Sequence, residues 1–269
     1  WSRTGTKDDN PLRKMKRHFP LLLLLAFSNP SFLEAKRPEL TWRKLLQDHA
    51  DCVTWVSATV RVEVSAGGRS MPPQEQKLEA LGTIIAEDGL TVLSLSRVDP
   101  TATLLSRMRG GGGTVNVNYT EVLILMQDGT EVPARLVLKD SDLDLAFVLP
   151  LKGGKSEADK TSFPYVPRPA KDTEVKTRAL DEVVSLGKLG RNLYRQSTLR
   201  KGWVSAVIEK PRKYLVIDNT SPGTPVFDRE GNWLGIVVYK MDRGRPTSIV
   251  TLPAEDIDEI AEQVRSRNK

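Results

Sequence analysis

The feature that most constrains this chain is a succession of short runs with a period of two, each closed by turn residues. Over 53–64, Val60, Val62 and Val64 fall on one face and Thr59, Arg61 and Glu63 on the other, the pattern of a half-buried strand. Further runs of this kind occur at 81–86, 91–95, 122–126, 132–138 and 145–149, and the pattern resumes at 183–186, 202–208, 214–217, 225–227, 233–239 and 248–252. Gln127-Asp128-Gly129-Thr130 reads as a tight hairpin, and Asp228-Arg229-Glu230-Gly231-Asn232 as a turn between two later runs.

Between the two sets, residues 151–172 carry Gly153, Gly154, Pro164, Pro167 and Pro169 among charges, which breaks the alternation and reads as a linker. A short helix is expected over 40–49. A capped amphipathic helix is expected over 253–265, where Ile257, Ile260, Ala261 and Val264 fall at helical spacing behind acidic first turns. The expected fold is all-β: two six-stranded antiparallel β-barrels with a C-terminal helix. The expected organisation is 36–150 for the first helix and barrel, 151–174 for the linker, and 175–269 for the second barrel and closing helix.

Ahead of these lies a different kind of segment. Met15-Lys16-Arg17-His18 precedes an apolar run over 19–27 with five consecutive leucines, followed by small and turn residues up to Ala35. That is the order of a secretory signal peptide, and the run is shorter than the roughly 20 residues that span a bilayer. Cleavage after Ser28 or after Ala35 fits equally well. Residues 1–14 read as an extension upstream of the start methionine, so a secreted or periplasmic protein without a stable membrane span is expected. The formal charge of +6 is concentrated here: 1–35 hold six Lys/Arg and three Asp/Glu, leaving 34 against 31 in the remainder. No basic stripe interleaved with aromatics remains, so nucleic acid is not an expected partner. Cys52 is the only cysteine, which excludes an internal disulfide, and its neighbours Val53 and Trp55 mark it as a buried small hydrophobe.

Gly82-Thr83-Ile84-Ile85-Ala86-Glu87-Asp88-Gly89-Leu90-Thr91-Val92-Leu93, the first of four segments in order along 50–265, is similar to the strand, turn and strand before the catalytic histidine of HtrA/Deg-like serine proteases. Asp140-Ser141-Asp142-Leu143-Asp144-Leu145-Ala146 resembles the catalytic-aspartate segment. Thr198-Leu199-Arg200-Lys201-Gly202-Trp203-Val204-Ser205-Ala206 resembles a second-barrel strand, and 218–236 resembles the nucleophile loop and the hairpin after it. The resemblance implies the chymotrypsin-like fold. Carried over residue by residue, the histidine position falls on Arg97, the aspartate on Asp144 and the serine on Pro222, within Thr220-Ser221-Pro222-Gly223-Thr224-Pro225.

Only the aspartate keeps its residue type. Serine attack needs a base that takes a proton near neutral pH and returns it to the leaving amine, and arginine stays protonated there. Proline has neither a side-chain nucleophile nor the backbone N–H that the family's oxyanion hole draws from this position. Thr220 stands where the family has a glycine. Ser221 is the alternative nucleophile, one residue from the expected place, but the chain has only His18 in the leader and His49 in the first helix to serve as a base. An ion pair between Arg97 and Asp144 is expected to fill the place of the His–Asp pair.

Other chemistry is thin. One cysteine and one histidine outside the leader cannot build a zinc site, and no cofactor or metal is expected. Gly110–Gly113 reads as a flexible loop, since no Lys-Ser/Thr follows to make a phosphate cradle. Asn118-Tyr119-Thr120 and Asn219-Thr220-Ser221 match glycosylation sequons, relevant to a eukaryotic source. The leading expectation is a non-catalytic domain that keeps a protease-like cleft for binding or assembly, its partner an unidentified protein or peptide. The alternative is a serine endopeptidase or other hydrolase with a displaced active site at Ser221. An HtrA-type peptide-binding quality-control factor is weaker, because no recognisable peptide-binding domain follows the second set of strands.

Overall fold

β-branched residues make up half of the first long run, and their preference for extended backbone is realised as a 14-residue strand. In the computed structural model, which describes residues 38–108, 113–153, 157–167 and 176–267, α1 (Pro38–His49) leads into this strand, β1 (Val53–Ala66). There follow β2 (Arg69–Ser70), β3 (Gln74–Ile84), β4 (Thr91–Ser94), α2 (Thr101–Arg107), β5 (Gly113–Leu125), β6 (Glu131–Asp140) and β7 (Leu145–Pro150). Strands β1, β3, β4, β7, β6 and β5 pair antiparallel in that order, and β5 returns onto β1 to close a six-stranded ring; β2 is an added rung at the end of β1. A bulge between Thr59 and Val60 shifts the β1–β5 register.

The second half comprises α3 (Glu157–Lys160), β8 (Glu182–Lys188), β9 (Ser197–Ile208), β10 (Tyr214–Ile217), β11 (Pro225–Phe227), β12 (Trp233–Asp242), β13 (Arg245–Pro253) and α4 (Ala254–Arg267). Here the closed order is β10-β13-β12-β11-β8-β9, with β9 back on β10. The expected pair of six-stranded antiparallel barrels followed by a helix is therefore the observed fold. The expected turns also form: Asp228 N–H bonds to Asn232 O at 3.0 Å, and Met126 N–H to Thr130 O at 2.8 Å.

Burial explains why some strands read as unbroken apolar runs. Along β7, Ala146 and Val148 point into the first barrel, while Leu145 and Phe147 point into a cluster shared with the second barrel. Likewise Leu234 and Val237 of β12 fill the second barrel, while Trp233, Ile236 and Val238 enter the shared cluster. A strand with both faces covered has no wet side to carry polar residues. The shared cluster also takes Trp42 and Leu45 of α1, Cys52, and Ile257, Ala261 and Val264 of α4. Burying side chains the size of Phe147, Phe227 and Trp233 stabilises a fold by about 1.5–3 kcal/mol each, so the junction is the energetic centre of the molecule. Cys52 is fully buried within it.

Several elements differ from the sequence reading. β5 begins at Gly113 rather than 122, because Val115, Val117 and Tyr119 alternate half-buried with exposed Asn116, Asn118 and Thr120. Gly113, read as loop, opens this strand; Gly110–Gly112 lie outside the described residues, as does the leader over 15–35. β3 starts seven residues early, in a polar stretch held by pairing to β1. α2 was not foreseen. Of the stretch read as linker, 157–167 is described and is packed rather than loose: Ala158, Phe163 and Val166 are buried, and Val166 N–H bonds to Ile84 O at 3.1 Å.

Candidate functional site

Asp144 precedes β7 at the junction of the barrels, 1% exposed and with left-handed backbone (φ 57°), a conformation aspartate tolerates better than most side chains. Its Oδ1 accepts the Ser96 amide at 2.7 Å and the Ser96 hydroxyl at 2.6 Å. Its Oδ2 accepts the Ser94 hydroxyl at 2.5 Å and the Tyr239 amide at 2.9 Å, the last from β12 of the second barrel. An ionised carboxylate has about four lone-pair sites, and here four donors fill them. The backbone carbonyl of Asp144 takes the Leu95 amide at 2.9 Å, so the residue ties β4, β7 and β12 together.

The expected Arg97–Asp144 ion pair does not form. Arg97 ends a 3-10 turn over Leu95–Arg97 and is exposed, and the place beside the carboxylate is taken by Ser96. Two serine hydroxyls and two amides satisfy the charge without importing a guanidinium into a buried niche, which would carry a desolvation penalty of several kcal/mol.

The serine-like loop is built differently. Gly223 has φ 89° and lies so close to β3 that a Cβ would collide with the Leu81 carbonyl oxygen, which only glycine avoids. Thr83 Oγ1 donates to Gly223 O at 2.8 Å, and Gly223 N–H bonds to Val237 O at 2.8 Å. The next amide, of Thr224, bonds to Ser221 O at 3.2 Å, so the amides after Pro222 are engaged within the protein. Ser221 is half-buried, and its hydroxyl accepts Arg200 Nη1 at 2.9 Å. His49 closes α1, and among the described residues no imidazole is hydrogen-bonded to Ser221.

A cleft of about 470 Å3 opens beside Asp144, lined in part by Leu95, Ser96, Asp99, Lys139 and Met241. Asp99 is its charged wall: it accepts the amide and hydroxyl of Thr101, the Tyr119 hydroxyl at 3.0 Å and Lys139 Nζ at 3.3 Å. Burial alone would raise the Asp99 carboxyl, but these bonds and the Lys139 charge outweigh it and hold the group below its ordinary value. Burial and the Asp99 charge push the Tyr119 phenol up, so it stays a hydrogen-bond donor.

Sequence reasoning placed Asp144 at the rim of the first barrel but missed its partners. Ser94 and Ser96 flank Arg97 in the sequence without marking an acceptor, and the Tyr239 amide carries no side-chain signal. The spacing Ser94-x-Ser96 at the end of β4 is the one signal that could have found them.

Compared by sequence, no curated protein matches this chain. Among solved structures, the serine endoprotease from Yersinia pestis matches with a TM-score of 0.53 at 18% identity, over 83% of this chain and 66% of that one. At that identity the likeness establishes the fold, and the chain spans slightly under two thirds of that endoprotease. The family model of the trypsin-like peptidase domain matches residues 80–236, from the middle of β3 into β12 and across both barrels. With the model covering more than half of the sequence and the two closed barrels on which it rests, the chain belongs to the trypsin-like peptidase domain family.

Proposed function

We propose that this member of the family is an exported pseudoprotease, a domain that binds a protein or peptide in a protease-like cleft without cutting it. The observation that carries the reading is the saturated carboxylate of Asp144. In a working triad that group orients the general base; here all four of its acceptor sites are occupied by Ser94, Ser96 and Tyr239. Arg97 at the histidine position cannot take up a proton, and Pro222 at the serine position offers neither nucleophile nor oxyanion donor. The half-open cleft beside Asp144 mixes apolar and hydroxyl-bearing walls, which suits an extended segment of another chain. Export rests on the leader over 15–35 and predicts a mature terminus between 29 and 36, read by amino-terminal sequencing of the protein from its host.

The test is casein hydrolysis by the purified mature chain, together with labelling by a serine-directed phosphonate. No turnover and no adduct are expected. Casein hydrolysis that disappears on Ser221→Ala would overturn the reading and install the displaced-site hydrolase. The Arg200 bond to Ser221 argues against that alternative, because a guanidinium donates to the hydroxyl and leaves its proton in place.

A further inference from the structure

On a different face, a cavity of about 360 Å3 lies where β1, β3 and the β5–β6 turn of the first barrel meet the loop between β8 and β9 of the second. Three observations there lack an explanation in the fold. The first is Lys188, whose side chain is 3% exposed; its ammonium donates to Asp51 Oδ1 at 3.2 Å and to Gln127 Oε1 at 2.6 Å, leaving one of three N–H groups without a partner among the described residues. The second is Arg195, which holds Glu79 through Nη2 at 3.3 Å while its Nε–H is buried and unpartnered. Buried unsatisfied donors are rare in native proteins and call for a missing ion, water or ligand.

The third is strain. The loop turns through a 3-10 turn over Arg191–Leu193, and then Tyr194 (φ 54°) and Arg195 (φ 51°) are both left-handed, a conformation that side-chain-bearing residues seldom adopt twice in succession. That turn aims Arg195 inward and leaves Tyr194 93% exposed at the cavity rim. Lys77 and Arg191, also on the rim, have no ion-pair partner among the described residues. Four cations thus face three carboxylates, Glu79 and Glu131 on the wall and Asp51 paired with Lys188, around a hollow that also has Trp55 and Tyr194 on its wall.

We propose that this inter-barrel cavity is an anion-binding site, taking a small ligand that carries a phosphate or a carboxylate on an aromatic or aliphatic body. The anion engages the remaining N–H of Lys188 and the rim guanidinium of Arg191, and the body lies against Trp55 and Tyr194. The site does not touch Asp144 or Ser221, so it stands or falls independently of the pseudoprotease reading.

Isothermal titration of the purified chain with phenyl phosphate, phenylacetate, inorganic phosphate and phenol tests it. Saturable binding of at least one of the two aromatic acids is expected, weakening as salt is raised, with none for phenol. The stronger acid identifies the headgroup. Arg191→Glu should weaken that binding by about tenfold or more and leave the melting temperature of the free protein unchanged. Tyr194→Ala should weaken the aromatic acids while sparing inorganic phosphate. Absence of saturable binding by both acids, or equal binding by Arg191→Glu, overturns the proposal.

Discussion

The surroundings of Asp144 and of Pro222 are built in different ways. Around Asp144, backbone and carboxylate are fully engaged, and every donor that reaches the group comes from an element that also holds the barrels together. Around Pro222, the backbone runs through Gly223 and its contacts to Leu81, Thr83 and Val237, and the Ser221 hydroxyl is held by Arg200. Asp144 and Gly223 are both fixed by their surroundings, the one by donors from both barrels and the other by its close approach to β3.

The largest effect should come from the loop side. Gly223→Ala forces a Cβ against the Leu81 carbonyl and a side chain into positive φ, so a loss of about 3 kcal/mol or more is expected in urea unfolding, or failure to accumulate as soluble protein. A loss below about 1 kcal/mol would show that the loop does not press on β3 as described.

Asp144→Ala should follow, at about 3 kcal/mol, because it strands the buried Ser94 hydroxyl, the half-buried Ser96 hydroxyl and two amides and also places alanine at φ 57°. Asp144→Asn keeps the tolerated backbone and one acceptor oxygen, so about half that loss is expected. Equal losses for the two variants would mean that the carboxylate charge, not the number of acceptors, holds the junction. The same geometry bears on what a working triad would need here. Arg97→His, Pro222→Ser and Thr220→Gly together should remain inactive on casein until Ser96→Ala frees Oδ1 for an imidazole.

A smaller effect is expected at Asp99. Its folded-state value lies below that of a free aspartate, so its contribution is present above about pH 4 and lost as the pH falls through the lower folded value. Stability of the parent chain should therefore fall in that acid window more steeply than that of Asp99→Asn, measured by urea midpoints at stepped pH. The smallest effect belongs to Arg97→Ala, which should leave the midpoint unchanged because the side chain is exposed and has no hydrogen-bond or ion-pair partner among the described residues; a clear loss would reinstate the ion pair with Asp144.

The twelve strand runs and the closing helix could be read from the sequence because alternation and turn residues are local properties. The first half of β5 was obscured because Asn116 and Asn118 follow a glycine run, and pairing with β1 overrides their weak preference for strands. The environment of Asp144 was not readable for a different reason. Ser94 and Ser96 lie 50 and 48 residues away and Tyr239 lies 95 away, and the fold alone brings them together. Opposite charges at Arg97 and Asp144 suggested a pair, but the direction of a side chain leaving a 3-10 turn is set by packing. The Lys188 cavity was equally hidden, since it joins a hairpin turn of one barrel to a strained loop of the other.

Cys52 gives the junction a built-in clock. The thiol is wholly enclosed, and burial pushes its pKa up despite the nearby Lys188, so the reactive thiolate is absent from the closed molecule. A thiol-reactive dye can therefore mark only chains in which the packing around Cys52 has opened. With reclosing fast relative to labelling, the rate reports the equilibrium population of the opened form; with excess dye it becomes the rate of opening itself. One native residue thus allows the cohesion of this packing to be timed in the unmodified protein, without a fluorophore or an engineered probe.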